Sequence, residues 1–322
     1  MFAPSVSVRA IAHVTRARPS CRSRTLRRRF GAALLLFATL APVAKAALPE
    51  GNGQVQLTAG GEAFDVWTYK PAGYRGGPLL MVFHGLGRNA ASHRDAARPL
   101  ADRFGLLVVA PQFDAARFPA WRYHSAGLVR ERFAEGAGEF TLEPEDQWTG
   151  KRVLELVDAA RQAEGRPDIG YLLLGHSAGG QMLARLAAFT PNAARGILLA
   201  NPSSFMWPSR DRRFPYGFGG LPERFANDAA LHRYLAQPIT VLTGTADTGT
   251  KDLDTRPGAL AQGANRHERA LAFYREAERL ARARGWEFAW QLYTVPGAGH
   301  SARAMYAANP SATAVAQRLQ AR

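Results

Sequence analysis

Three residues of this 322-residue chain have the types that nucleophilic attack on a carbonyl requires, and each is expected at the end of a strand. Ser177 lies in Gly175-His176-Ser177-Ala178-Gly179-Gly180. The apolar run Tyr171–Leu174 precedes it, and a helical pattern with Met182, Leu183, Leu186 and Phe189 follows until Pro191. Asp247 stands just beyond the run Pro238–Gly244, and His300 closes the turn Pro296-Gly297-Ala298-Gly299-His300. A serine hydroxyl is a weak nucleophile and needs a base for its proton. An imidazole can take it, and a carboxylate on the other ring nitrogen fixes the tautomer and stabilises the imidazolium. Strand, glycine turn and helix form the context in which G-x-S-x-G pushes a serine out of the chain. Its glycines leave room where a Cβ would clash, and the helix N-terminus brings free N–H groups beside the hydroxyl. By itself the pentapeptide is equally a glycine-rich turn whose serine caps a helix. The flanks and the two partner residues favour chemistry. Asp252 and Asp254 share the polar loop with Asp247 and stand as alternatives for the acid, although Asp247 is nearest the strand end.

A tetrahedral intermediate also needs hydrogen-bond donors for its oxyanion. The N–H of Ala178, directly after the serine, is one. The other is expected from His84-Gly85-Leu86-Gly87, which follows the apolar run Leu79–Phe83, with Leu86 the preferred donor and Gly87 the alternative.

The elements that must position these residues alternate between strand and helix. Gln54–Thr58 and Ala63–Lys70 read as an antiparallel edge hairpin around Gly60-Gly61. Leu79–Phe83, Leu106–Ala110, Tyr171–Leu174, Gly196–Ala200, Pro238–Gly244 and Phe288–Val295 read as further strands. Several are continuous apolar runs, as expected of strands buried on both faces. Helices are expected over Ala91–Phe104, Glu145–Ala163, the segment after Ser177, Asn265–Arg284 and Ser301–Leu319, the last interrupted near Pro310. This alternation predicts an α/β fold: a doubly wound, mostly parallel sheet with helices on both faces. Such a sheet collects its site at the carboxyl ends of its strands, so residues distant in sequence can meet there. Two irregular stretches, 111–144 and 201–237, interrupt the pattern and read as inserts. Trp121 in the first, and Trp207 and Phe214 in the second, are candidates for an apolar substrate wall.

The net charge of +15 invites a nucleic-acid reading, but nine of the 41 Lys and Arg lie in residues 1–46, which hold no Asp or Glu. The remaining excess of +6 suits a solvated surface, and no nucleic-acid motif accompanies it. Residues 1–46 read as an export signal: a basic region ending in Arg27-Arg28-Arg29-Phe30, the apolar stretch Gly31–Val43, and Ala44-Lys45-Ala46 as the cleavage site. The arginine pair resembles a twin-arginine signal, and a general secretory signal is the alternative. The expected location is therefore periplasmic or secreted, with residues 47–322 the mature domain and no stable membrane span after cleavage. The only cysteine, Cys21, falls in the removed segment, which excludes disulfide and thiolate chemistry from the mature chain. No metal-ligand spacing, dinucleotide fingerprint or phosphate loop occurs, so neither a metal nor a cofactor is expected.

With four motifs in order along residues 54–319, the chain resembles the α/β-hydrolase superfamily. It looks most like the exported bacterial esterases grouped with feruloyl esterases and polyhydroxybutyrate depolymerases. The resemblance implies Ser177 as nucleophile, Asp247 as acid, His300 as base, and the N–H groups of Leu86 and Ala178 as oxyanion donors. It implies a serine hydrolase that cleaves carboxylic esters, small-molecule or polymeric, through an acyl-enzyme. A serine peptidase or amidase of the same fold is the first alternative. A non-catalytic exported binding protein on a hydrolase scaffold is the second, because the fold also carries members that do no hydrolysis.

Overall fold

The computed structural model describes residues 47–130 and 140–320. The segment read as an export signal, and residues 131–139 of the first insert, lie outside the described residues. Strand β1 (Gly51–Ala59) turns at Gly60-Gly61 into β2 (Glu62–Lys70), and the two pair antiparallel, as the glycine pair predicts. Both turn glycines have φ values of 57° and 75°, which a side chain would resist. The remaining strands are β3 (Leu79–Phe83), β4 (Leu107–Pro111), β5 (Tyr171–His176), β6 (Gly196–Ala200), β7 (Ile239–Gly244) and β8 (Gln291–Val295). They form one eight-stranded sheet in the order β1-β2-β4-β3-β5-β6-β7-β8. From β4 to β8 every neighbouring pair is parallel.

All residues of β3, β4, β5, β6 and β7 are buried, because helices cover both faces. Alternate side chains feed two cores: Leu79, Met81 and Phe83 face one, Leu80 and Val82 the other. The first core is closed by α3 (Thr149–Ala163), α4 (Ala178–Phe189), α6 (Asp228–Leu235) and α8 (Arg266–Arg284). The second is closed by α1 (Ala90–Phe104), α9 (Ala302–Ala307) and α10 (Asn309–Gln320). Three short helices, α2 (Ala120–Tyr123), α5 (Glu223–Ala226) and α7 (Pro257–Leu260), lie in the loops above the sheet's carboxyl edge.

Beyond shifts at element ends such as the start of β1 at Gly51, and the short helices α2 and α7, three differences from the sequence reading have a clear physical reason. The helix expected over Glu145–Ala163 is a single 3₁₀ turn, Glu145–Gln147, then α3, because Trp148 takes extended backbone (ψ 141°) and buries its indole. The last strand begins at Gln291 rather than Phe288, since residues 286–290 pack as loop against the first core. The 201–237 insert is irregular only in its first half. Its second half is helical, with Asn227 capping α6 and Leu231, Tyr234 and Leu235 giving that helix a buried face. The C-terminal helix breaks where Pro310 suggests it, with Ala308 extended between α9 and α10. Among the described residues no helix is long and apolar enough to cross a membrane.

Candidate active site

Ser177 occupies the sharp turn between β5 and α4, with φ 56° and ψ −116°. For a non-glycine residue this is a costly backbone, of the order of 1–3 kcal/mol, held only when its surroundings over-determine it. Here they do. The Ser177 N–H donates to Ala200 O of the adjacent strand at 2.9 Å. A Cβ on Gly175 would lie 2.5 Å from the Gly179 carbonyl group, and one on Gly179 would lie 2.5 Å from Phe83 O. Both glycines are therefore required by close backbone approach, and the turn cannot relax without separating β3, β5 and α4.

His300 reaches the serine from the turn after β8. Its Nε2 is 3.1 Å from Ser177 Oγ, and its Nδ1 is 2.7 Å from Asp247 Oδ2. Asp247, 2% exposed, follows β7 and anchors its own backbone N–H on Gly244 O. With Nδ1–H donating to the carboxylate, the neutral imidazole leaves Nε2 free to accept the serine proton. Three sequence candidates on three strand ends are thus brought within one hydrogen-bonded chain. Asp252 and Asp254 are not part of it. Asp252 is exposed, while Asp254 accepts from the Tyr216 hydroxyl at 3.0 Å and from Arg256 Nε at 2.7 Å.

Other residues hold this chain in place, and the sequence reading did not find them. Arg266 Nη1 lies 3.3 Å from Asp247 Oδ1, with both side chains 1% exposed, and the same guanidinium bonds Gly249 O and Lys251 O. The carboxylate is therefore shared between His300 and Arg266. A cation in the first turn of a helix opposes the helix dipole, and that misplacement in α8 was the one available signal. Asn201, fully buried, accepts the Gly244 N–H at 2.9 Å and donates to Gly299 O at 3.2 Å, tying the acid-bearing strand to the histidine turn. The ring of His176 lies 4.6 Å from that of His300. Burial, and then the neighbouring His300, hold His176 well below the usual histidine range. An imidazolium formed at His300 therefore faces a neutral ring rather than a second cation.

Ser177 opens into a cleft of about 530 Å³ whose walls include Leu86, Trp121, Gln181, Phe214 and Arg256. Trp121 and Phe214 thus line it, as does Ala178. Trp207 does not: it is 7% exposed, packed in the first core with the Arg212 guanidinium over its ring. Leu86 is 50% exposed at the cleft wall. Among the described residues neither the Leu86 nor the Ala178 N–H has a protein acceptor. Also among these residues, no three His, Cys, Asp or Glu side chains are grouped to hold a metal ion.

Residues 78–245 match the family model described as the alpha/beta hydrolase fold. The chain belongs to that family. It is an α/β hydrolase. No curated protein matches it. Among solved structures this hydrolase is similar to LpqC, a poly(3-hydroxybutyrate) depolymerase from Bordetella parapertussis. The two are 35% identical over 80% of this chain and 88% of that one, with a TM-score of 0.71. It is similar to poly(aspartic acid) hydrolase-1 from Sphingomonas sp. KT-1, at 32% identity over 80% and 96% of the two chains and a TM-score of 0.72. An S-formylglutathione hydrolase from Agrobacterium tumefaciens, 16% identical over 84% and 94% with a TM-score of 0.52, shares the fold alone.

Proposed function

We propose that this α/β hydrolase is a serine hydrolase that cleaves carboxylic esters through an acyl-enzyme, with Ser177 as nucleophile, His300 as base and Asp247 as acid. The observation that carries the reading is the continuous chain from Ser177 Oγ through both nitrogens of His300 to a buried carboxylate, at 3.1 and 2.7 Å. In the first half-reaction Ser177 Oγ adds to the ester carbonyl carbon as its proton passes to His300 Nε2. The carbonyl π pair moves to oxygen, where the N–H groups of Leu86 and Ala178 would receive it. Collapse re-forms the carbonyl and expels the alcohol oxygen, which takes the proton from Nε2. Water then repeats the sequence on the acyl-enzyme and releases the carboxylic acid and Ser177. Throughout, Asp247 accepts the Nδ1–H and steadies the imidazolium.

The poly(3-hydroxybutyrate) depolymerase likeness supports an ester, small or polymeric, as the substrate. The likeness to an enzyme named for poly(aspartic acid), a polyamide, favours an amide as the second reading. Purified residues 47–322, assayed on a matched panel of esters and amides, separate the two. Ser177→Ala should abolish turnover and labelling by a fluorophosphonate while leaving the melting temperature close to that of the unaltered protein. Undiminished labelling of the variant refutes the assignment. Residues 1–46 are proposed as the export signal, which makes the mature enzyme periplasmic or secreted.

A further inference from the structure

In the loop after β3 the polar atoms of His84 and Gly85 that flank Leu86 are held by hydrogen bonds. Gly85, whose backbone no side chain restricts, packs on the nucleophile turn, with its would-be Cβ 3.4 Å from Ser177 Cβ. Its carbonyl oxygen accepts the Arg88 N–H at 3.2 Å and lies 3.0 Å from His84 Nδ1. The peptide unit between Gly85 and Leu86, if trans, points its N–H opposite to that carbonyl. Anchoring Gly85 O inward therefore turns the Leu86 N–H outward, on the side of the cleft that Leu86 lines. The preceding peptide unit is held as well. The Tyr123 hydroxyl donates to His84 O at 2.8 Å, and the Gly85 N–H donates to His93 Nε2 at 3.3 Å.

His93 belongs to the first turn of α1, and its other nitrogen, Nδ1, is 2.8 Å from Asn89 O. A carbonyl can only accept, so Nδ1 carries the proton. A neutral ring then has a lone pair at Nε2, which is what the Gly85 N–H requires. The rings of His84 and His176 face it at 6.4 and 5.9 Å. Burial lowers His93 from the ordinary histidine value, and the same cause pushes His84 down to about 3.

We propose that His93 is a positioning residue for the oxyanion loop. Its Nδ1–H tautomer, set by the Asn89 carbonyl, accepts the Gly85 N–H and so fixes the orientation in which the Leu86 N–H meets the developing oxyanion. The proposal rests on the serine-hydrolase reading above. His93 touches neither substrate nor the reacting atoms, and it acts through Gly85.

The test uses a fluorophosphonate, which loads the same donors when Ser177 attacks phosphorus, so no natural substrate need be known. The rate of covalent labelling at saturation and the half-saturating concentration are measured for the mature protein, Ser177→Ala, His93→Leu and His93→Gln. Loss of one oxyanion donor costs about 100- to 1,000-fold, so a displaced one should cost about tenfold or more. His93→Leu should slow saturated labelling by that factor with the half-saturating concentration unchanged. His93→Gln, whose amide oxygen can accept at the same reach, should recover most of the rate. An unaltered rate in His93→Leu overturns the proposal, as does an equal loss in both variants. Failure of the unaltered protein to label at Ser177 overturns the serine reading itself, and the proposal with it. If His93→Leu does not fold, ¹⁵N NMR of the imidazoles in the unaltered protein decides. The Nδ1–H form of His93 supports the proposal, and the Nε2–H form or an imidazolium at neutral pH overturns it.

Discussion

Replacing Arg266 with methionine leaves Asp247 buried with its charge uncompensated on one side. In the folded protein the guanidinium and carboxylate are 3.3 Å apart, each 1% exposed, so solvent screens them little. Breaking such a buried pair by removing one partner costs about 3–5 kcal/mol. The Gly249 and Lys251 carbonyls lose charge-assisted donors as well, which places the cost toward the upper end of that range. At about 2–3 °C per kcal/mol for a domain of this size, the melting temperature should fall by about 6–15 °C. Urea denaturation of the mature protein measures the free energy directly. In an Asp247→Asn background the same Arg266→Met change should cost much less, because no charge is then left unpaired, and the difference isolates the pair. A loss below about 1 kcal/mol would refute the reasoning, as would an equal loss in both backgrounds, since an unpaired buried charge cannot be that tolerable.

Asp247→Asn should lower kcat by orders of magnitude, because an asparagine amide cannot stabilise the imidazolium and upsets its tautomer, whereas Asp252→Asn and Asp254→Asn should be mild. Steady-state kinetics on one ester compare the three, and the assignment fails if either of the last two is the damaging one. Phe214→Ala should raise KM for bulky esters far more than for acetyl esters, with less effect on kcat, since Phe214 lines the cleft. Trp207→Ala, by contrast, should lower stability by about 3–5 kcal/mol through the cavity it leaves in the core, read by urea denaturation. Changing Arg27-Arg28 to Lys-Lys should block export if the twin-arginine route is used, as cell fractionation would show, and N-terminal sequencing of exported protein should begin at Ala47.

The three residues of the candidate triad were legible because each sits at a strand's carboxyl end beside a glycine or within a polar turn. Glycine spacing reports a backbone requirement: Gly175 is needed where the chain crosses Gly179 within the turn, and Gly179 where the turn meets the Phe83 carbonyl of β3. Buried parallel strands were legible for a related reason: coverage on both faces demands unbroken apolar runs such as Leu79–Phe83. The second half of the 201–237 insert was not. Eight residues of helix α6 are too few for a convincing period beside so many aromatics and glycines, and their buried face exists only because α4 and α8 lie against it.

The sequence by itself determined most of the elements, their order, the turn that carries Ser177, and the short set of loop carboxylates that could meet His300. Those are local matters, decided by side-chain period and by which residues tolerate which dihedrals. Only the tertiary structure decided that Asp247 rather than Asp252 or Asp254 meets His300, that Trp207 belongs to the core while Phe214 faces the cleft, and that Arg266, Asn201 and His93 stand behind the site. Each of those depends on which side chains the sheet order brings together from positions far apart in the chain. A hydrogen bond between residues 53 positions apart, such as that joining His300 and Asp247, leaves no periodic trace in either neighbourhood. Its partner is chosen by geometry that exists only once β7 and β8 lie side by side.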